Sequence, residues 1–394
     1  MTSSQALQSV VSVSTFRANH APPQSKGSGS SERGIAPSRL CDFTHPVNMN
    51  RRSVDLPPAS ASPATTSGCS GTLVAQFSGS PTPEEGPLNF DRVLVTTDLT
   101  EVSRAACVYA AELAARLGIP ATFLHVDELL PAGFEDIEEY DAYTAFADDA
   151  RRNGVAALRA ALAERGLPEL DLVVVRGHAA EAAVEYAQHH GFPLIAAARR
   201  SRTTLEQRLL GSTTRKLLRD TTVPVLIIPS DGADLPSLAG GQEPGPVLAP
   251  TDLHDVSGVG IRVANELAGA LGAHLLVVHV VDWPSVTDLM ISAPNDLLTR
   301  VARRIKLRAV DALKAHLTAV GLGDREQRVI NGPSPAEALS AMADHVAASL
   351  VILPATTKGA FKRFFLGSTS TRLVKLVGRP VLVMPETWLT GSDR

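Results

Sequence analysis

The chain writes one unit twice, and this duplication constrains its fold more than any other feature. Phe90-Asp91-Arg92-Val93-Leu94-Val95-Thr96-Thr97-Asp98-Leu99 returns as Pro246-Val247-Leu248-Ala249-Pro250-Thr251-Asp252-Leu253. His125-Val126 returns as His279-Val280, Leu210-Gly211-Ser212-Thr213 as Leu366-Gly367-Ser368-Thr369, and Pro224-Val225-Leu226 as Pro380-Val381-Leu382. Asp98 and Asp252 stand 154 residues apart, as do His125 and His279; Gly211 and Gly367 stand 156 apart, as do Pro224 and Pro380. Ordered landmarks at nearly constant spacing mark two copies, each about one domain long. We expect a first domain over 87–230, a polar Gly/Pro-bearing linker over 231–244, a second domain over 245–388 and a short tail over 389–394.

Inside each copy, short apolar runs alternate with helical stretches. In the first copy the runs lie near 91–97, 121–126, 171–176, 193–198 and 224–229. Between them, Ser103–Leu117 and Val155–Arg165 repeat apolar residues at three- and four-residue spacing, the mark of amphipathic helices. Near-continuous apolar strands suit a parallel sheet covered on both faces. Alternating β and α elements then predict an α/β, Rossmann-like, open doubly wound sheet. Ligands of such sheets bind beyond the carboxyl ends of the strands, where Asp98, Val126 and Ala198 should lie. The last strand of each copy is bracketed by prolines, which suits a strand end or edge. An exposed apolar edge invites aggregation, so we expect the two last strands to cover each other in a pseudo-dimer.

Composition removes several function classes. The 394 residues hold 37 basic and 41 acidic side chains for a net charge of −4, and aromatics are 4%. No basic nucleic-acid coat or base-stacking platform is expected. No apolar stretch reaches the ~18 residues of a transmembrane helix, so no membrane partner is expected. The three cysteines, Cys41, Cys69 and Cys107, contain no CxxC pair, which fits a reducing, cytoplasmic setting and excludes the common cysteine-based zinc sites. Residues 1–86 are rich in Ser, Pro, Gly and Thr without apolar period, and read as disordered. They are a regulatory tail, an organellar transit peptide, or the product of a start placed too early, with Met49 the true one.

Two constellations carry the candidate chemistry. Gly211-Ser212-Thr213 and Gly367-Ser368-Thr369 each precede a helical run. There a glycine admits a phosphate to the backbone and the helix dipole favours the anion; the plain alternative is an ordinary serine N-cap. Asp98 and Asp252 end the first strands, where a carboxylate can accept a hydrogen bond from a nucleotide or help hold Mg²⁺; the plain alternative is a helix cap. Arg199, Arg200 and Arg202 in one copy, and Lys358, Lys362 and Arg363 in the other, are side-chain cations suited to phosphate, to a solvated basic loop, or to pairing with acids across the domain interface. Asp127–Asp149 holds nine acids and no base, and reads as a solvated, mobile insert. His125 and His279 suit turn or packing roles, and Cys107 a buried, inert one. No GxxxxGK[ST] loop, GxGxxG fingerprint or GxSxG elbow occurs, and no metal site or nucleophile–base pair is evident.

Together, Thr97-Asp98 and Pro250-Thr251-Asp252, the His-Val strand ends, the Leu-Gly-Ser before a helix and the closing Pro-Val-Leu strands resemble the universal stress protein family, here as a tandem pair over about 88–386. The resemblance implies two five-stranded parallel sheets with helices on both faces, pairing through the last strands, and a non-catalytic role in stress tolerance or signalling. Nucleotide-binding members carry Gly-x-x-Gly, nine residues, then Gly-Ser or Gly-Thr. Counting back from Gly211 reaches Ala198 and Ser201; counting back from Gly367 reaches Pro354 and Thr357. By this resemblance, ATP with Mg²⁺ is the implied ligand. Thr97, Asp98, Val126, Ala198, Ser201, Gly211, Ser212 and Thr213 form the first candidate site, and Thr251, Asp252, Val280, Gly367, Ser368 and Thr369 a lesser second. The rival reading is a ligand-free scaffold acting through protein partners or further self-association, favoured by Pro354, which has no N–H to donate. An enzyme of a related α/β nucleotide fold ranks third.

Overall fold

The computed structural model describes residues 90–128, 140–199, 210–230, 235–236, 238, 243–282, 295–332, 334–355 and 367–390. The expected tail over 1–86, with Cys41, Cys69 and Met49, lies outside the described residues. So do Ser201, Arg200 and Arg202, and Thr357, Lys358, Lys362 and Arg363.

The first half runs β1 (Val93–Thr97), α1 (Glu101–Leu117), β2 (Ala121–Glu128), α2 (Tyr140–Glu164), β3 (Asp171–Gly177), α3 (Ala179–His189), β4 (Ile195–Arg199), α4 (Ser212–Asp220) and β5 (Val225–Pro229). The second half repeats it: β6 (Val247–Thr251), α5 (Asp255–Leu271), β7 (Leu275–Asp282), α6 (Asn295–Ala319), β8 (Glu326–Gly332), α7 (Pro335–His345), β9 (Leu350–Ala355), α8 (Ser368–Leu376) and β10 (Val381–Pro385). A last turn, α9 (Glu386–Thr390), follows. Helices α1 and α5 stop alike, at Gly118 and Gly272, whose left-handed φ of 68° and 66° suits a residue without a Cβ.

The two expected five-stranded sheets are in fact one. Ten strands run in the order β3-β2-β1-β4-β5-β10-β9-β6-β7-β8. Every described neighbour pair is parallel except β5 and β10, which meet antiparallel with Val381 opposite Ile227 and Val383 opposite Val225. The cause is the apolar edge noted above: β5 and β10 are buried at every position, and ladder hydrogen bonds between them satisfy both backbones.

One apolar cluster crosses this seam, joining α1, α2, β1 and β4 to α5, β6, β7 and β9. On the opposite face, Leu94, Leu124 and Ala183 belong to one cluster, and Leu210, Leu218 and Ile227 join the second half's α7 and α8 in another. Further contacts tie the halves. Tyr109 Oη of α1 donates to the Ser349 carbonyl at 2.7 Å, and Phe90 stacks on Trp388 of α9 at 5.5 Å. The connection between the halves is itself held. Leu238 is buried; its N–H donates to Glu112 Oε2 at 2.9 Å, and its carbonyl accepts from Arg116 Nε at 2.7 Å.

The acidic insert is corrected in part. Tyr140–Asp149 forms the opening turns of α2, and Glu135-Asp136 and Glu138-Glu139 lie outside the described residues. The helix hides from pattern reading because its inward positions there are Thr144, Asp148 and Arg151, while Phe146 faces out. Arg151 bonds Asp127 and Asp148 at 2.6 Å each, which holds this polar underside to β2.

Candidate functional site

The site is built where the sheet opens. The β1–β2 ladder ends with Thr97 opposite His125, and the β1–β4 ladder ends with Thr96 opposite Ala197. The next residues out, Val126 and Ala198, pair only outward, with Val175 and Ile228. Thr97-Asp98 therefore emerges between two strands whose inner sides have left their ladders, at the topological switch point of the first half.

The turn after β1 has the same construction in both halves. Thr97 Oγ1 accepts the Leu99 N–H at 3.0 Å, as Thr251 Oγ1 does from Leu253. The same hydroxyls meet Ser103 Oγ at 3.3 Å and Ser257 Oγ at 2.9 Å. Asp98 Oδ1 accepts the Thr100 N–H at 3.0 Å and Asp252 Oδ1 the His254 N–H at 3.1 Å, as in an Asx turn. These bonds hold Leu99 and Leu253 at φ of 60° and 66°, a left-handed conformation unusual for leucine. The hydroxyls of Thr97 and Thr251 are thus spent inside the turn. The two aspartates do shape the approach to the helix, as their plain alternative had it, but each bonds the residue at the cap position and is not itself the cap. His125 and His279 also serve the turn: each Nδ1–H donates to the carbonyl of Thr97 or Thr251, at 3.0 and 2.9 Å.

The Gly-Ser-Thr triplets sit at the matching rim. Gly211 and Gly367 are the N-cap residues of α4 and α8, so Ser212 and Ser368 are already the first helical residues, and among the described residues no side chain caps either helix. This corrects the expectation that the serine caps. Thr214 Oγ1 donates to the Ala198 carbonyl at 3.3 Å, which fastens the start of α4 to the end of β4. Among the described residues, nothing lies within 4 Å of a Cβ built at Gly367.

Three observations separate the halves. First, Pro250 lies in β6 and has no N–H; the β6–β9 ladder stops at Leu248 and Val351, whereas β1–β4 continues through two further pairs. Second, Pro354 in β9 presses on α5: a Cβ on Gly260 would come within 2.4 Å of its Cγ. Third, Arg199 does not face the candidate phosphate site. It is 2% exposed, and its Nη1 donates to the carbonyls of Val374 and Val377, at 2.6 and 2.7 Å, at the carboxyl end of α8. A cation there complements the helix dipole. The corresponding residue of the second half is Ala355, so this link runs one way only. Contact across the interface is one expected alternative for this basic run, with acids as the partners; Arg199 does cross, but to main-chain carbonyls, which no local sequence pattern marks.

Cys107 lies under the β1 turn. Burial pushes its thiol up to about 12 and the charge of Asp98 acts the same way, against a hydrogen bond with Thr97. Among the described residues no group of three or more His, Cys, Asp or Glu is placed to hold a metal ion, and no helix is long and apolar enough to cross a membrane.

The profile of the universal stress protein family matches twice, over residues 89–229 and 245–385. The chain belongs to this family. It is a tandem member, with two universal stress protein domains in one chain and the stress-associated character of that family. A universal stress protein of Mycobacterium bovis is 26% identical over 301 residues, 74% of this chain and 96% of the relative, and a Mycobacterium tuberculosis counterpart matches equally. The crystal structure of a universal stress protein from Archaeoglobus fulgidus shares the fold, with a TM-score of 0.52 at 19% identity, covering 76% of this chain and 99% of that one. A protein of Pseudomonas aeruginosa described as functionally unknown aligns with a TM-score of 0.51 at 16% identity, covering 77% and 95%.

Proposed function

We propose that this universal stress protein is a non-catalytic, cytoplasmic stress-response protein whose first half binds a nucleotide, ATP with Mg²⁺ or a close relative, weakly. The observation that carries this reading is the uncapped start of α4, with Gly211 at its N-cap, fastened to the strand end at Ala198 where the sheet opens. First-turn N–H groups and the helix dipole suit a phosphate. In the fit, Gly211, Ser212 and Thr213 hold phosphate, Val126 and Ala198 offer main-chain groups, and Asp98 faces the base–ribose side. The hydroxyl of Thr97 is already used, so its share is to hold Asp98 in place. Bound Mg²⁺ would supply charge neutralisation of the phosphates. The second half is the poorer candidate at Thr251, Asp252, Val280, Gly367, Ser368 and Thr369, because Pro250 and Pro354 both flank its opening. The division into domains at 87–230 and 245–388 about a 231–244 linker is part of the same reading.

Thermal unfolding of the full chain, stripped of nucleotide and titrated with Mg-ATP, tests it. A ligand at 100 times its Kd stabilises the native state by about 2.7 kcal/mol. We expect a saturable rise in Tm that Gly211→Asp abolishes and Gly367→Asp leaves largely intact. No shift up to millimolar ATP would favour the scaffold reading, which the enclosed Thr97 and Thr251 hydroxyls and Pro354 support. Turnover of the nucleotide above background would favour an enzyme.

A further inference from the structure

Helices α2 and α6 are counterparts of 25 residues each, crossing from the second strand of a half to its third. Their buried leucines fix the correspondence: Leu158 and Leu162 on α2 match Leu313 and Leu317 on α6, each 155 residues further on. The same offset sets Arg303 where the first half has Asp148, Ile305 where it has Ala150, and Lys306 where it has Arg151. On the strands, Val281 of β7 stands where β2 has Asp127, each directly after the valine of its His-Val pair.

In the first half this place is closed by charge. Arg151 lies between the carboxylates of Asp127 and Asp148, 2.6 Å from each, with its side chain 26% exposed. The second half has neither acid and one cation more. There a cavity of about 240 Å³ opens between α6 and strands β7 and β8. Val281, Ile305 and Val329 give it apolar walls, and Arg303 and Lys306 stand beside them. Among the described residues no carboxylate lines this cavity, and neither cation has an ion pair. One guanidinium between two carboxylates has become two exposed cations with none. Solvated cations on a plain surface need no partner, but these two flank an apolar recess. A small molecule with an apolar body and one anionic group satisfies both features at once. None of the residues lining the cavity belongs to either candidate nucleotide site.

We propose that the second half binds an organic carboxylate with an apolar body, such as a medium-chain acyl carboxylate, between α6 and strands β7 and β8. The apolar body packs on Val281, Ile305 and Val329, and the carboxylate takes the place that the acids hold around Arg151 in the first half. The site belongs to the second half alone, because the first half fills the same place with its own ion pairs.

Calorimetric titration of the full chain with octanoate tests this. We expect saturable binding of one octanoate per chain, weakened by high salt, which screens exposed charges. Octylammonium, with the same body and the opposite charge, should not bind, and inorganic phosphate, with no body, should not compete. Arg303→Gln and Lys306→Gln should each weaken octanoate up to about fivefold, as exposed charges do. The decisive variant is Val281→Asp/Arg303→Asp, which gives Lys306 the two acids that Arg151 has. It should keep the circular dichroism and Tm of the wild type, since the first half already folds with this arrangement, and lose octanoate binding. No saturable binding up to millimolar octanoate overturns the proposal. So does octylammonium binding as tightly, which would make the recess merely apolar, or two octanoates per chain, or binding unchanged in the double variant. Preference for phosphatidylserine vesicles over free octanoate, lost in the double variant, would make α6 a membrane surface and overturn it equally.

Discussion

A single buried guanidinium does at the seam what several surface pairs could not. Arg199 is held by two carbonyls at the end of α8, in surroundings that screen it little. Arg199→Met keeps the stem but leaves those carbonyls without the cation, and we expect a loss of about 2–4 kcal/mol in urea unfolding of the full chain. Cys107 gives a second prediction. Its thiol is raised from the ordinary 9.0 to about 12 in the folded chain. Below pH 9 both states keep the proton, so this group costs nothing; between 9 and 12 only the unfolded chain ionises, and stability falls as pH rises. In a Cys41→Ser/Cys69→Ser background, the native protein should leave a thiol reagent untouched at pH 8 and yield one reactive thiol when unfolded. Rapid native labelling would contradict the burial. At this scale the sequence showed that Cys107 sits on an apolar helix face, but not that Arg199 bonds the carboxyl end of α8, because that depends on a contact 175 residues away.

At the scale of elements, the second half differs from the first by a matched pair. Where the first half has Ala106 and Ala198, the second has Gly260 and Pro354, and the proline ring occupies the space that the missing Cβ leaves. Gly260→Ala should therefore cost about 1–3 kcal/mol by overpacking. Adding Pro354→Ala should recover most of it, since the pair then matches the first half. A double-mutant cycle in urea measures this, and additive losses would sink the matched-pair account. The strands were legible because buried parallel strands are near-continuously apolar, and α1 was legible from its period. The opening of α2 was not: its inner face is polar, held by Arg151 to Asp127 and Asp148 rather than by hydrophobic contact. The β1 and β6 turns were seen as strand-end Thr-Asp pairs, but their left-handed leucines carry no sequence mark, because the residue type argues against that conformation.

At the scale of the molecule, the halves share one core. The cluster that runs from Phe90 and Val95 to Val277 and Met384 crosses the seam, so neither half can lose its packing alone. Calorimetry of the full chain should show a single transition whose calorimetric and van't Hoff enthalpies agree; two resolved transitions would contradict a shared core. The repeat in the sequence made the duplication plain and made pairing of the last strands expected. That the pairing merges two sheets into one was less plain, since it needs the β5–β10 register, which only the folded chain displays. The seam also bears on how such a chain can grow by gene duplication. Each unit owns one strand, β5 or β10, that pairs antiparallel with its own kind, and joining two units uses both. A third unit added in tandem would bring an apolar seam strand with no counterpart in the chain, and only a fourth would cover it. Fused arrays of this unit should lengthen by twos.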